Sequence, residues 1–169
     1  MVPQRAGQVL NAPALITLFL DFDGVLHPLG APRDWLFDKA GMLAASLRDL
    51  EGVEIVVSSG WAGYHSLDEV RAMFQPWPAL HERVVGRTEP WARPPAHGAV
   101  VPDRERQCRD WLRANGRSAR HWLAIDNQRQ HFAARERLLL VDGRQGLQAR
   151  NLYRLVEMIH ALRREEARS

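Results

Sequence analysis

The sequence predicts one doubly wound, Rossmann-like α/β domain: a parallel five-stranded sheet with helices on both faces and no large cap domain. Three observations carry this. Short apolar runs alternate with helical segments along a chain of 169 residues, a length that suits one domain. The runs are apolar at nearly every position, as in strands buried on both faces, not at every second one. Three of them end in small polar or acidic residues, at the strand ends where such sheets bind ligands.

Residues 1 to 13 contain Pro3, Gly7 and Pro13 and read as a loose N-terminal arm. The domain proper spans 14 to 169. "LITLFLDF" (15–22) is the first strand. "DKAGMLAASLRDLEG" (38–52) is a helix, with Asp38 placed as N-cap and Gly52 just past its end. "VEIVVS" (53–58) is the second strand. Residues 63–75 read as a helix that stops at Pro76. "ERVVGRT" (82–88) is a shorter third strand. "EPWARPPAHGAVVP" (89–102) holds four prolines and reads as a long loop. "DRERQCRDWLRANG" (103–116) is a helix capped by Asp103, with Cys108, Trp111 and Leu112 at i, i+3 and i+4. "HWLAID" (121–126) and "RLLLVD" (137–142) complete the sheet. The last helix, about 148–165, aligns Leu152, Leu155, Val156, Ile159 and Leu162 on one stripe.

Composition narrows the setting. Hydrophobic content of 46% and charged content of 25% are those of an ordinary globular protein. Cys108 is the single cysteine, which excludes an intrachain disulfide. The run Ala14 to Leu20 is too short to span a bilayer. It also leads straight into Asp21 without a small-residue cleavage site, so no signal peptide and no membrane partner are expected, and the reading is cytoplasmic. The net charge is +3, and Lys39 is the sole lysine among the basic residues. Arginine suits bidentate phosphate contacts, although composition bias accounts for many of these arginines. The acids are interspersed, with no long basic run, and the seven histidines show no metal-ligand spacing.

The strand ends carry the chemistry. Asp21-x-Asp23 closes the first strand, Ser58-Ser59-Gly60 the second and Asp126-Asn127 the fourth. An Asp-Gly turn explains Asp23 and leaves Asp21 unexplained. Carboxylates gathered at one rim are costly unless a cation neutralises them, and oxygen ligands suit Mg²⁺. Asp21 and Asp126 are the candidate ligands. A carboxylate is also a nucleophile toward phosphorus, and a second one two residues on can protonate the leaving oxygen and then activate water. The hydroxyl and backbone N–H of Ser58 can hold phosphoryl oxygens. Arg104 and Arg106 stand in the first turn of a helix, where the macrodipole disfavours cations, and either can offset phosphoryl charge. The alternative is that Asp103 and Glu105 simply balance them. Lys39 reads as part of a solvated helix face.

Taken in order, "DFDGVLHP", "VEIVVSSGW", "RDWL", "WLAIDN" and "LLLVD" resemble the motifs of the haloacid dehalogenase-like (HAD) superfamily over residues 15 to 145. They are closest to the small HAD domains of RNA-repair proteins. The resemblance implies a Mg²⁺-dependent phosphohydrolase that works through an aspartyl-phosphate. It makes Asp21 the nucleophile and a metal ligand. Asp23 becomes the general acid/base and lends a backbone carbonyl to the metal. Ser58, with Ser59 beside it, binds the phosphoryl group, and Asp126 is the remaining carboxylate ligand. Two departures stand out. Arg104, or Arg106, replaces the usual lysine, with Arg104 the better fit to the spacing. Asn127 replaces a second acid. Asp142, at the end of the fifth strand, reads as a turn residue. Asp23 argues against dehalogenase chemistry.

Only 34 residues separate Asp23 from Ser58, which leaves no room for a large cap. An open site suits a bulky phosphorylated substrate such as a nucleic-acid end. Trp35, Trp61, Trp77 and Trp91 fall in or near loops at strand ends and can stack a base or simply pack. The rival reading is a non-catalytic phosphate- or nucleic-acid-binding module on a degenerate HAD scaffold. A receiver-type phosphoacceptor domain is disfavoured, because its acceptor closes the third strand and the acid pair here closes the first.

Overall fold

In the computed structural model, which describes residues 12–89 and 103–168, five parallel strands form one sheet. They are β1 (Ile16–Leu20), β2 (Val53–Val57), β3 (Val84–Arg87), β4 (Trp122–Asp126) and β5 (Leu138–Leu140). The order is β3-β2-β1-β4-β5, so the chain winds one way from β1 and crosses back to wind the other way. The C-terminal end of β1 lies at that switch point, where such sheets open a crevice.

Side-chain alternation along the strands sorts the core into two layers. Ile16, Leu18 and Leu20 of β1, with Ile55 and Val57 of β2, pack with the helices α1 (Ala40–Leu47) and α5 (Ala149–Glu166). The short helices α2 (Leu67–Ala72) and α3 (Pro78–His81) contribute Val70 and Leu80 to the same layer. Phe19, Val56, Trp122 and Ala124 face the other way, onto Cys108 and Leu112 of α4 (Asp103–Ala114). Phe19 meets Trp111 and Trp122 edge-on, each at 6.0 Å between ring centres. Gly86 makes this layer possible at β3. A Cβ there would lie 2.6 Å from the Trp111 ring, so only glycine lets α4 sit this close to the strand.

Several sequence expectations are corrected. Asp38 does not cap α1; Lys39 occupies that position and no side chain caps the helix. The 63–75 helix contracts to Leu67–Ala72, because Ser66 and Glu69 form a reciprocal capping box that sets its start. The short α3 is an addition to the expected elements and begins at Pro78, with proline in its first turn. The stripe on α5 holds, with Met158 buried in place of a half-buried Val156. Lys39 is no solvated side chain. It is three-quarters buried, its ammonium pairs with Asp38 at 3.2 Å, and its stem packs by Gly146. Residues 12–15 lead into β1 without regular structure. The rest of the N-terminal arm, Trp91 and nearly all of the proline-rich segment lie outside the described residues. Among those residues no helix is long and apolar enough to cross a membrane.

Candidate functional site

Strand register builds the site. Leu20 is paired with Val57 on one side and Ile125 on the other. One step further along, Asp21, Ser58 and Asp126 therefore lie level on three adjacent strands. Alternation points all three toward α4, the side opposite Leu20, Val57 and Ile125. Asp21 is 6% exposed and Asp126 is 2% exposed. The Phe22 N–H donates to Asp21 Oδ1 at 2.8 Å, and the Gln128 N–H to Asp126 Oδ1 at 2.7 Å. Burial, and then the charge of Asp126, pushes the Asp21 pKa from 3.8 to about 7, against the pull of Arg104 and of hydrogen bonds from Phe22 and Ser59. Burial raises Asp126 as well.

Of the two arginines, Arg104 is the one that stands beside the acids. Arg104, in the first turn of α4, brings Nε to 3.9 Å from Asp126 Oδ2 with its side chain largely buried. It acts electrostatically on both carboxylates. Arg106, two residues on and so on the other side of the helix, pairs with Asp103 at 3.5 Å. Glu105 does more than balance its neighbours. It is buried, accepts the Ala133 and Ala134 N–H groups at 2.6 and 2.9 Å, and pairs with Arg109 at 2.7 Å. It thus ties the loop after β4 to the start of α4.

Ser58 is placed differently from the expectation. Its N–H is committed to the sheet, donating to Leu20 O at 2.9 Å, so it is not offered to a phosphoryl oxygen. Its hydroxyl lies 3.6 Å from Cys108 Sγ. Ser59 carries the hydroxyl that reaches Asp21, and it also accepts the Trp61 N–H at 3.4 Å. A cavity of about 260 Å³ opens beside it, lined by Ser59, Thr88, Asp103, Arg104, Gln107 and His131 among others. A larger one, about 760 Å³, lies against the start of β2, between α1 and α3, and borders neither Arg104 nor Ser59. The smaller cavity is the relevant one because it borders Arg104 and Ser59.

Asp23 stands just past the buried row, on a turn opened by Gly24 at φ +78°. A side chain at Gly24 would also strike Asn127. His27 and Trp61 both reach the Asp23 carboxylate. Neither role is visible in the sequence, where His27 sits inside "VLHPLG" and Trp61 reads as one loop tryptophan among four. His131, near Asp21 and Arg104, was equally unmarked, and burial lowers its pKa. Trp61 packs on Phe22 and Phe37, and Trp77 is half-buried by Gly41; Trp35, 59% exposed, stays free to stack. Asp142 accepts the Arg144 N–H at 3.0 Å, the turn role expected of it.

The donor set suits a hard cation. Asp21 and Asp126 are two buried carboxylates that repel each other, and Asn127 Oδ1 is buried with no hydrogen-bond partner. Among the described residues no three His, Cys, Asp or Glu side chains converge. That pattern matches Mg²⁺, which needs one or two carboxylates and keeps its waters, better than a closed cage of side chains.

The family model for the HAD domain in Swiss Army Knife RNA repair proteins matches residues 17–152, from β1 into α5. The chain belongs to this family. No curated protein matches it. The matched segment contains the whole row of Asp21, Ser58 and Asp126, together with Arg104 and Asn127. HAD-type domains are generally hydrolases, phosphoesterases among them, and this small member is built without a large cap.

Proposed function

We propose that this HAD domain is a Mg²⁺-dependent phosphomonoesterase that acts through an aspartyl-phosphate, on nucleic-acid ends carrying a phosphate. The observation that carries the reading is the buried pair Asp21 and Asp126, level on adjacent strands beside Arg104. Two buried carboxylates with raised pKa are costly to the fold and useful to phosphoryl transfer. Asp21, Asp126 and the main chain at Asp23 would hold the metal, with Asn127 beside them. When bound, Mg²⁺ supplies charge neutralisation for the buried acids and for the phosphoryl oxygens.

The chain's own residues do the rest. An oxygen of Asp21 attacks phosphorus. Asp23, 54% exposed at the mouth of the site, gives a proton to the leaving oxygen. Arg104 and the Ser59 hydroxyl hold the phosphoryl oxygens, and the Ser58 hydroxyl lies below them. Asp23 then takes a proton from the water that releases phosphate from Asp21.

Hydrolysis of a generic phosphate monoester by the full chain tests this. Turnover is expected with Mg²⁺, to vanish in EDTA and to return on adding Mg²⁺. Asp21→Asn should abolish it with the fold intact. Mg²⁺-independent turnover, or substantial turnover by Asp21→Asn, would rule the mechanism out. Phosphate binding without turnover would favour a binding module instead.

A further inference from the structure

The Asp23 carboxylate is gripped at both oxygens. His27 Nε2 lies 2.8 Å from Oδ1, and the Trp61 indole N–H donates to Oδ2 at 3.0 Å. His27 is 1% exposed, on a tight turn closed by the Gly24 N–H donating to His27 O at 2.9 Å. Its other ring nitrogen, Nδ1, accepts the Phe37 N–H at 3.3 Å. An imidazole that accepts at Nδ1 carries its proton at Nε2, so His27 is the donor to Asp23. Phe37 holds that N–H in place at φ +62°, alone among the described non-glycine residues in having positive φ. A phenylalanine keeps such a conformation only where its surroundings over-determine it. Here its ring meets Phe22, His27, Trp61 and Phe74 at 5.1 to 6.0 Å.

We propose that His27 is the positioning residue for Asp23: its Nε2–H fixes Oδ1, which leaves Oδ2 as the oxygen that gives and takes the proton. This rests on the phosphomonoesterase reading above. A neutral N–H donor serves Asp23 throughout the cycle, because Oδ1 accepts equally as part of a carboxylate and as the carbonyl oxygen of the acid. In the first step the Asp21 oxygen–phosphorus bond forms and the ester oxygen–phosphorus bond breaks, while the proton on Asp23 Oδ2 passes to the departing oxygen. In the second, water attacks phosphorus, Oδ2 takes its proton, and the bond to Asp21 breaks. Trp61 holds Oδ2 until the leaving group displaces it. The buried His27 contact stays in place and keeps the carboxyl from rotating away once Trp61 has let go.

The test separates positioning from mere stability by leaving group. A p-nitrophenyl ester needs little help from an acid, and an alkyl ester needs much. The parameter is kcat/KM, which covers only formation of the aspartyl-phosphate. His27→Leu should lose at least about tenfold more on the alkyl phosphate than on p-nitrophenyl phosphate, a fraction of the usual ~10²–10⁴ of general acid catalysis. His27→Gln, whose amide can accept from Phe37 and donate to Asp23, should recover most of that difference. Equal losses on both esters would overturn the proposal. Long-range ¹H–¹⁵N spectra of the wild-type chain supply a check that no unfolded variant can spoil: the His27 ring proton should sit on Nε2, with Nδ1 left to accept from Phe37. A proton on Nδ1 would also overturn it. Absence of Asp21-dependent turnover in the wild type would instead sink the phosphomonoesterase reading, a separate outcome.

Discussion

Asp21 sits level with Asp126 in a row that solvent hardly reaches, and its pKa of about 7 reflects first its burial and then that neighbour. Between pH ~4 and ~7 the folded protein keeps a proton on Asp21 that the unfolded chain has released. Stability of the metal-free protein therefore falls as pH rises through this window and stays low above it. The shift corresponds to at most about 4 kcal/mol, at 1.36 kcal/mol per pKa unit. Asp21→Asn should thus stabilise the metal-free fold at pH 8, on the order of 1–4 kcal/mol, and change little at pH 4. Urea unfolding in EDTA at the two pH values measures this; a variant no more stable than wild type at pH 8 would contradict it. Arg104 makes a second residue-scale prediction. Its Nε lies 3.9 Å from Asp126, in the position of a charge and not of a bidentate fork. Arg104→Lys should keep most of the turnover, and Arg104→Ala should lose roughly 10²-fold, the scale of removing one transition-state donor.

At the scale of elements, the loop after β4 is held by α4 through one carboxylate. Glu105 accepts from Ala133, Ala134 and Arg109 while 2% exposed. Burial opposes its ionisation, but the bonds from Ala134, Arg109 and Ala133 win and hold its pKa below the usual value. Its contribution is present above the unfolded value of 4.5 and fades as pH falls through the lower folded value, the opposite direction to Asp21. Glu105→Ala leaves two N–H groups and a guanidinium without their partner. It should cost about 2–5 kcal/mol in chemical unfolding and loosen the loop that carries His131. Amide exchange at Ala133 and Ala134 reads the second effect; unchanged protection there would show that the loop is held by other contacts.

At the scale of the whole molecule, the open rim and the arginine-rich chain argue for a large anionic substrate. Trp35 stands exposed on the connection between β1 and α1, the same connection that begins with the Asp23 turn. A 5′- or 3′-phosphorylated oligonucleotide is expected to be a better substrate than the matching mononucleotide, with an apparent affinity that falls steeply between 50 and roughly 200 mM salt as phosphate contacts release counterions. Trp35→Ala should weaken the oligonucleotide by about 1–3 kcal/mol if the ring stacks a base. Steady-state kinetics across salt measure both; equal kcat/KM for the two substrates with no salt slope would point to a small-molecule phosphatase.

The strands and the acids that close them are legible along the chain. Strands buried on both faces need unbroken apolar runs, so "LITLFLDF", "VEIVVS" and "HWLAID" could be read directly, with Asp21, Ser58 and Asp126 closing them; that the three lie level is a matter of strand register. Charge in conflict with a helix end marked Arg104 and Arg106 alike, and only the fold puts Arg104 beside Asp126. The partners of polar groups emerge only in the folded chain. Glu54 lies inside an apolar strand, and nothing local shows that Thr17 and Arg117 will satisfy it at 2.7 to 3.0 Å. Nothing local shows that the Ser58 N–H is spent on Leu20, or that Glu105 belongs to a loop nearly thirty residues on. His27 is the sharpest case, since its role depends on a Phe37 N–H that only an unusual backbone angle aims at it. Apolar burial is non-directional and leaves a periodic trace along the chain. A hydrogen bond is directional and joins two atoms whose separation in sequence is arbitrary, so its meaning exists only once the chain has folded.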